Sequence, residues 1–130
     1  FTIAEDEIEV GMGIHGEAGI EVKKMMTADE IAETLVSTIV KDMPLADGDE
    51  VSVMVNGLGG TPMEEQLIVY RKVHQILSGM GVSVVMPHIG EYATSMEMAG
   101  LSVTIFKLDA QLKELLQAPA ESPFYTNANK

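Results

Sequence analysis

Period-two alternation opens the chain. In I-A-E-D-E-I-E-V-G-M-G-I (3–14), Ile8, Val10 and Met12 alternate with Glu7, Glu9 and Gly11. This is the pattern of a half-buried strand. It runs into a glycine-rich stretch, with Gly11, Gly13, Gly16 and Gly19 around His15. Residues 27–43 change to a helical period. Thr27 with Glu30 three places on is a capping box. Ile31, Leu35 and Ile39 with Val36, Val40 and Met43 form one apolar face. Pro44 stops this helix, and Asp47-Gly48-Asp49 is a turn.

Val51, Val53 and Val55 mark a second strand that ends in N-G-L-G-G. Thr61 is expected to cap the next helix, with Pro62 at its first position and Glu64 and Glu65 near its positive end. That helix is expected to run to about Ser78 and to bury Leu67, Tyr70, Val73 and Leu77. Gly79 and Gly81 close it. V-S-V-V-M (82–86) reads as a third strand, and S-V-T-I-F-K (102–107) as a fourth. Asp109 to Leu116 is a short amphipathic helix. The order β, α, β, α, β, β, α predicts an α/β sheet with parallel pairs and helices packed against it. Alternation in the first strand predicts one sheet face less covered there. Residues 1–118 are expected to form a single domain, and 119–130 a polar, loosely attached tail.

The 130 residues are 46 % hydrophobic and 22 % charged, an ordinary globular balance that argues against disorder. Eight basic residues against twenty acidic ones give a formal charge of −12. Such a chain repels phosphate backbones and anionic lipid, which argues against nucleic-acid and membrane-surface binding. The absence of cysteine excludes disulfides, thiolate metal sites and cysteine catalysis. No apolar run approaches the ~18 residues of a membrane span, and no signal-peptide pattern opens the chain. The cytoplasm is the expected location. The first residue is Phe1, so a piece of a longer protein is expected.

Three histidines carry candidate chemistry. His15 follows a strand inside G-M-G-I-H-G-E-A-G, where flanking glycines let another group approach the imidazole. Glu17 stands close enough to orient a ring nitrogen. A nucleophile, an acid/base group, a ligand, or a turn histidine with no role all fit that setting. His74 reads as a solvent-facing helix residue, and His88 as a structural histidine at a strand end. N-G-L-G-G-T-P resembles an anion-binding turn, but a tight strand-to-helix connection explains it better. It is neither a Walker sequence nor a dinucleotide fingerprint. Glu5-Asp6-Glu7 and Asp47/Asp49 lack EF-hand spacing and read as solvated charge. The ten methionines, Met96 and Met98 among them, read as core filler or interface.

Three stretches together resemble one family. E-I-E-V-G-M-G-I-H-G-E-A-G (7–19) is similar to the histidine motif of dihydroxyacetone kinases, in their dihydroxyacetone-binding K subunit. V-N-G-L-G-G-T-P (55–62) and G-E-Y-A-T-S-M-E-M-A-G-L-S-V-T-I (90–105) agree with it in the same order. The ending A-P-A-E-S-P (118–123) is similar to the close of separate K subunits. Ala18 departs from the Pro of many members.

The resemblance implies a mixed β-sheet with helices mainly on one face, as the second domain of a K subunit. It implies that His15 adds to the carbonyl carbon of dihydroxyacetone and holds it as a covalent hemiaminal for phosphorylation. The family's second histidine, a glycine and a catalytic aspartate belong to an N-terminal domain and have no counterpart in this chain. No cofactor or metal is expected in the chain, because ATP or ADP with Mg sits on a separate L subunit or domain. The L subunit, indirectly a multiphosphoryl carrier protein, and a second copy in a homodimer are the implied partners. Non-catalytic relatives that sense dihydroxyacetone as transcriptional co-activators keep the same histidine and stand as the alternative. The residues of this chain do not separate the two.

Overall fold

The capping box at Thr27 starts the first helix as its spacing predicts. In the computed structural model, α1 spans Ala28–Asp42. The Glu30 N–H donates to Thr27 Oγ1 at 3.3 Å, and the Thr27 N–H donates to Glu30 Oε2 at 2.8 Å. The backbone donor and then the hydroxyl of Thr27 hold the Glu30 carboxyl below its ordinary range. An acid lowered by folding stabilises above its unfolded titration range, and that contribution is lost as pH falls through its folded value. Thr27→Ala is therefore expected to cost about 1 kcal/mol at neutral pH. The difference from wild type should shrink on acidification. Urea unfolding across a pH series checks this, and a pH-independent difference would count against the reciprocal box.

The structure describes residues 2–13 and 15–128; Phe1, Ile14, Asn129 and Lys130, which figure in the expectations above, lie outside them. The strands are β1 (Glu7–Val10), β2 (Glu21–Lys24), β3 (Glu50–Gly57), β4 (Ser83–Val84), β5 (His88–Gly90), β6 (Leu101–Leu108), β7 (Ala120–Glu121) and β8 (Thr126–Asn127). The other helices are α2 (Met63–Gly79) and α3 (Ala110–Gln117). β3 is the centre of the main sheet. β6 pairs antiparallel along its whole length, from Glu50 against Leu108 to Gly57 against Leu101. β4 and β5 both pair parallel with β3, at Glu50–Val51 and at Met54–Asn56. A strand has two edges, so β4 and β5 share the one that β6 leaves. The sheet is mixed, as expected.

V-S-V-V-M does not form one strand. Met86 adopts φ 54, a left-handed conformation unfavourable for a side chain of its size, and Pro87 follows with no N–H to give the ladder. The Ser52 hydroxyl donates to the Met86 carbonyl at 3.0 Å and holds the break. Pairing resumes one step later as β5.

Val51, Val53 and Val55 point to one face and are fully buried. They pack with Ala32 and Val36 of α1, Val69, Val73 and Leu77 of α2, and Ile105 of β6. The ion pairs Lys72–Glu33 at 2.8 Å and Arg71–Asp29 tie the two helices together. On the opposite face Ser102, Thr104 and Phe106 of β6 are exposed, so the helices cover mainly one face. α2 is rotated from its expected register. Gln66 and Val69 are buried beside Val73 and Leu77, whereas Leu67 is exposed and Tyr70 is only partly covered. Pro62 rather than Thr61 is its N-cap, and the Pro62 carbonyl accepts the Glu65 and Gln66 N–H groups, while the Thr61 carbonyl accepts the Gln66 side-chain amide at 3.0 Å.

Two further expectations need correction. The first strand is not part of the main sheet. β1 pairs with β2 in a separate antiparallel ribbon, from Glu7 against Lys24 to Val10 against Glu21. Residues 119–128 are not a loose tail. β7 and β8 form a hairpin, and Asn127 donates to the Gln117 and Ala118 carbonyls at 3.2 and 2.9 Å.

Candidate functional site

The ribbon carries His15 at its turn. Pairing of β1 with β2 brings Val10 opposite Glu21, so residues 11–20 must close the connection. Side chains do much of that work. Glu9 Oε1 accepts the Gly19 N–H at 2.6 Å. The Ile20 N–H donates to the Val10 carbonyl at 2.7 Å. At the tip the Gly13 N–H donates to the Glu17 carbonyl at 3.0 Å, and the Gly16 N–H to the Gly13 carbonyl at 3.0 Å. Gly16 has φ 84, a conformation that a residue without Cβ adopts at no steric cost.

Glu17 folds back toward His15. Its Oε2 accepts the His15 N–H at 3.0 Å, and its Oε1 lies 3.5 Å from His15 Nδ1. The imidazole is 85 % exposed. The ring nitrogen facing the carboxylate is Nδ1, so Nε2 is the nitrogen on the far side of the ring. A neutral imidazole in that state is a nucleophile for an electrophilic carbon. The pairing of Glu9 with Gly19 and the partner strand β2 escape a reading from spacing. Glu9 looks like one polar position in an alternating strand, and E-V-K-K carries no apolar alternation.

The other histidines have different surroundings. His74 is exposed on α2, with the Tyr70 ring 6.0 Å away. His88 Nε2 lies 2.8 Å from the Tyr125 hydroxyl, and the Tyr92 ring meets His88 edge-on at 5.8 Å. His88 is thus a satisfied residue that fixes the C-terminal hairpin against β5.

The N-G-L-G-G-T-P loop is a structural joint. The Leu58 N–H donates to the Gly100 carbonyl at 3.0 Å, and the Gly60 N–H to the Met98 carbonyl at 2.7 Å. Those amides are occupied by protein acceptors, which removes them from any anion cradle. Asn56 is buried and grips the same loop. Its Oδ1 accepts the Tyr92 and Ala93 N–H groups at 2.8 and 3.0 Å, and its Nδ2 donates to the Ala93 carbonyl at 2.7 Å. Ser95 Oγ donates to the Leu58 carbonyl at 2.8 Å. The second and third motifs are therefore the two halves of one packed unit.

The acidic clusters are also accounted for. Asp49 accepts the Ala46 N–H at 2.8 Å and pairs with Lys107 at 2.9 Å, and Asp6 pairs with Lys24 at 2.7 Å. Among the described residues no three His, Asp or Glu side chains gather as a metal site. No helix among them is long and apolar enough to cross a membrane.

Comparison with known proteins identifies the family and the fold. The Dak1 domain family matches residues 1–124. The dihydroxyacetone-binding subunit DhaK of a PTS-dependent dihydroxyacetone kinase 2 from Listeria innocua is 45 % identical over 125 residues. That covers 96 % of this chain and 38 % of the relative. An L-erythrulose kinase of Pectobacterium atrosepticum is 48 % identical over 129 residues, covering 96 % of this chain and 22 % of its own length. The chain thus spans well under half the length of these relatives. Among solved structures, the dihydroxyacetone kinase operon co-activator Dha-DhaQ matches with a TM-score of 0.83 and 32 % identity, over 98 % of this chain and 38 % of that one. The dihydroxyacetone kinase of C. freundii in complex with AMP-PNP and Mg2+ matches in fold, with a TM-score of 0.73 and 23 % identity over 98 % of this chain and 22 % of that one. With a family match along nearly its whole length, the chain belongs to the Dak1 family, that of the dihydroxyacetone-binding kinase subunits.

Proposed function

We propose that the chain captures dihydroxyacetone as a covalent hemiaminal on His15, acting as the C-terminal domain of a K subunit. The supporting observation is the exposed imidazole at the ribbon tip, with Nδ1 against a carboxylate and Nε2 on the far side of the ring. Nε2 adds to the ketone carbon, and the tethered substrate then presents a hydroxyl for phosphorylation. Selectivity follows from bond formation, since a polyol without a carbonyl has nothing for Nε2 to attack. The catalytic acid/base groups and the nucleotide belong to the N-terminal domain and to the L subunit. This chain alone is therefore expected to be inactive.

A second reading has its own support. The co-activator matches this backbone more closely than the C. freundii kinase does. On that reading the same hemiaminal is a signal and no phosphoryl group is transferred. Both readings predict that dihydroxyacetone carrying 13C at its carbonyl moves from a ketone to a tetrahedral carbon signal on the intact protein. An unchanged ketone signal at saturating protein would sink both. Adding the L subunit with its phosphoryl donor then separates them. Dihydroxyacetone phosphate formation supports the kinase, whereas capture without product supports the sensor.

A further inference from the structure

We propose that Glu17 is a positioning residue that fixes the tautomer of His15 and so makes Nε2 the attacking nitrogen. This rests on the capture reading for its purpose, but its physical content is testable without any ketone. Both Glu17 oxygens face the same residue, Oε2 at 3.0 Å from the His15 backbone nitrogen and Oε1 at 3.5 Å from Nδ1. An ionised carboxylate only accepts hydrogen bonds. A carboxylate facing Nδ1 favours the proton on that nitrogen, which leaves the lone pair of a neutral ring on Nε2.

The loop is built to keep that carboxylate in place. A Cβ on Gly13 would lie 2.8 Å from the Glu17 Cβ and would overlap the carboxylate itself. Gly13 thus provides the space into which Glu17 folds, and its N–H ties down the Glu17 carbonyl at 3.0 Å. Glu9, a carboxylate of β1 beside the loop, is committed to the Gly19 N–H at 2.6 Å.

The step balances as follows. The Nε2 lone pair forms the N–C bond, and the π pair of the ketone moves onto its oxygen. That oxygen takes one proton from water. Nδ1 releases its proton to the Glu17 carboxylate, which returns it to water. The ring ends neutral and substituted, and the adduct ends as a hemiaminal hydroxyl.

Glu17→Gln separates charge and tautomer from shape. The amide oxygen keeps the bond to the His15 N–H, and the amide NH2 then faces Nδ1. An NH2 group donates, so it favours the opposite tautomer, with the proton on Nε2. Long-range 1H–15N spectra of the 15N-labelled intact protein at neutral pH, recorded without ketone, report the tautomer directly. The expected result is Nδ1–H in wild type and a shift toward Nε2–H in Glu17→Gln, with other signals unchanged. Dihydroxyacetone capture should weaken about tenfold or more in the variant, as expected for a nucleophile held in the wrong tautomer. An unchanged tautomer, or wild-type capture by the variant, overturns the role of Glu17. A wild-type protein that forms no adduct, yet switches tautomer in the variant, overturns the capture reading and leaves the positioning role standing.

Discussion

Replacing His15 with Ala is expected to abolish adduct formation and to leave the fold unchanged. The two halves of that result come from different physics. The imidazole is 85 % exposed, so its removal uncovers little packed surface. Surface changes of this kind usually stay within about 0.5 kcal/mol of wild type. The His15 N–H bond to Glu17 uses the backbone and survives the substitution. Capture, by contrast, loses its only covalent bond. The expected loss of apparent affinity is at least about 100-fold, or about 2.7 kcal/mol. Titration calorimetry with dihydroxyacetone, beside intact-mass spectra recorded with and without the ketone, measures it. Glycerol serves as the internal comparison, because without a carbonyl its weak association should be the same in both proteins. Wild-type affinity with a persistent tetrahedral carbon in His15→Ala would place the attachment elsewhere and end this reading.

The same distinction between local and distant forces explains what the sequence made legible. α1 was readable to within a residue because its start is a contact between Thr27 and Glu30, three positions apart. His15 and Glu17 were readable as a pair for the same reason. The buried face of α2 was not. Its apolar positions fit two registers, and packing against β3 chose Val69 over Tyr70 while burying Gln66. The run 82–86 has the composition of a strand, but Met86 and Pro87 break it at a point held by Ser52, 34 residues away. β2 has no apolar alternation of its own and exists through β1. The hairpin at the C-terminus depends likewise on Asn127 reaching Gln117 and Ala118, and Tyr125 reaching His88. Site chemistry held within five residues was visible; the packing that supports the rest of the domain was not.

Gly59 tests a further distant contact, the one between the second and third motifs. Gly59→Ala is expected to cost about 3 kcal/mol, the sum of two separable effects. The first is backbone. Gly59 has φ 98, and a side chain in a left-handed conformation costs roughly 1–2 kcal/mol. The second is contact. A Cβ there would overlap the Ser95 carbonyl oxygen and stand 3.3 Å from the Met98 carbonyl oxygen. Both acceptors are backbone atoms of a loop already fixed by Asn56 and Ser95, so neither can yield without breaking other bonds. Forced overpacking of this kind costs about 1–3 kcal/mol. Gly48 is the matched comparison. It has φ 86 but open space where a Cβ would stand. Gly48→Ala should lose only the backbone part, about 1 kcal/mol. The two variants together therefore isolate the contact between the second and third motifs. Hydrogen exchange locates it, because the Gly60 N–H is held by the Met98 carbonyl at 2.7 Å. That amide should exchange faster in Gly59→Ala than in Gly48→Ala at matched global stability. Equal losses in the two variants, with Gly60 equally protected, would mean that a Cβ at Gly59 meets no resistance from the Ser95 and Met98 carbonyls. The joint between the motifs would then contribute nothing beyond its turn geometry.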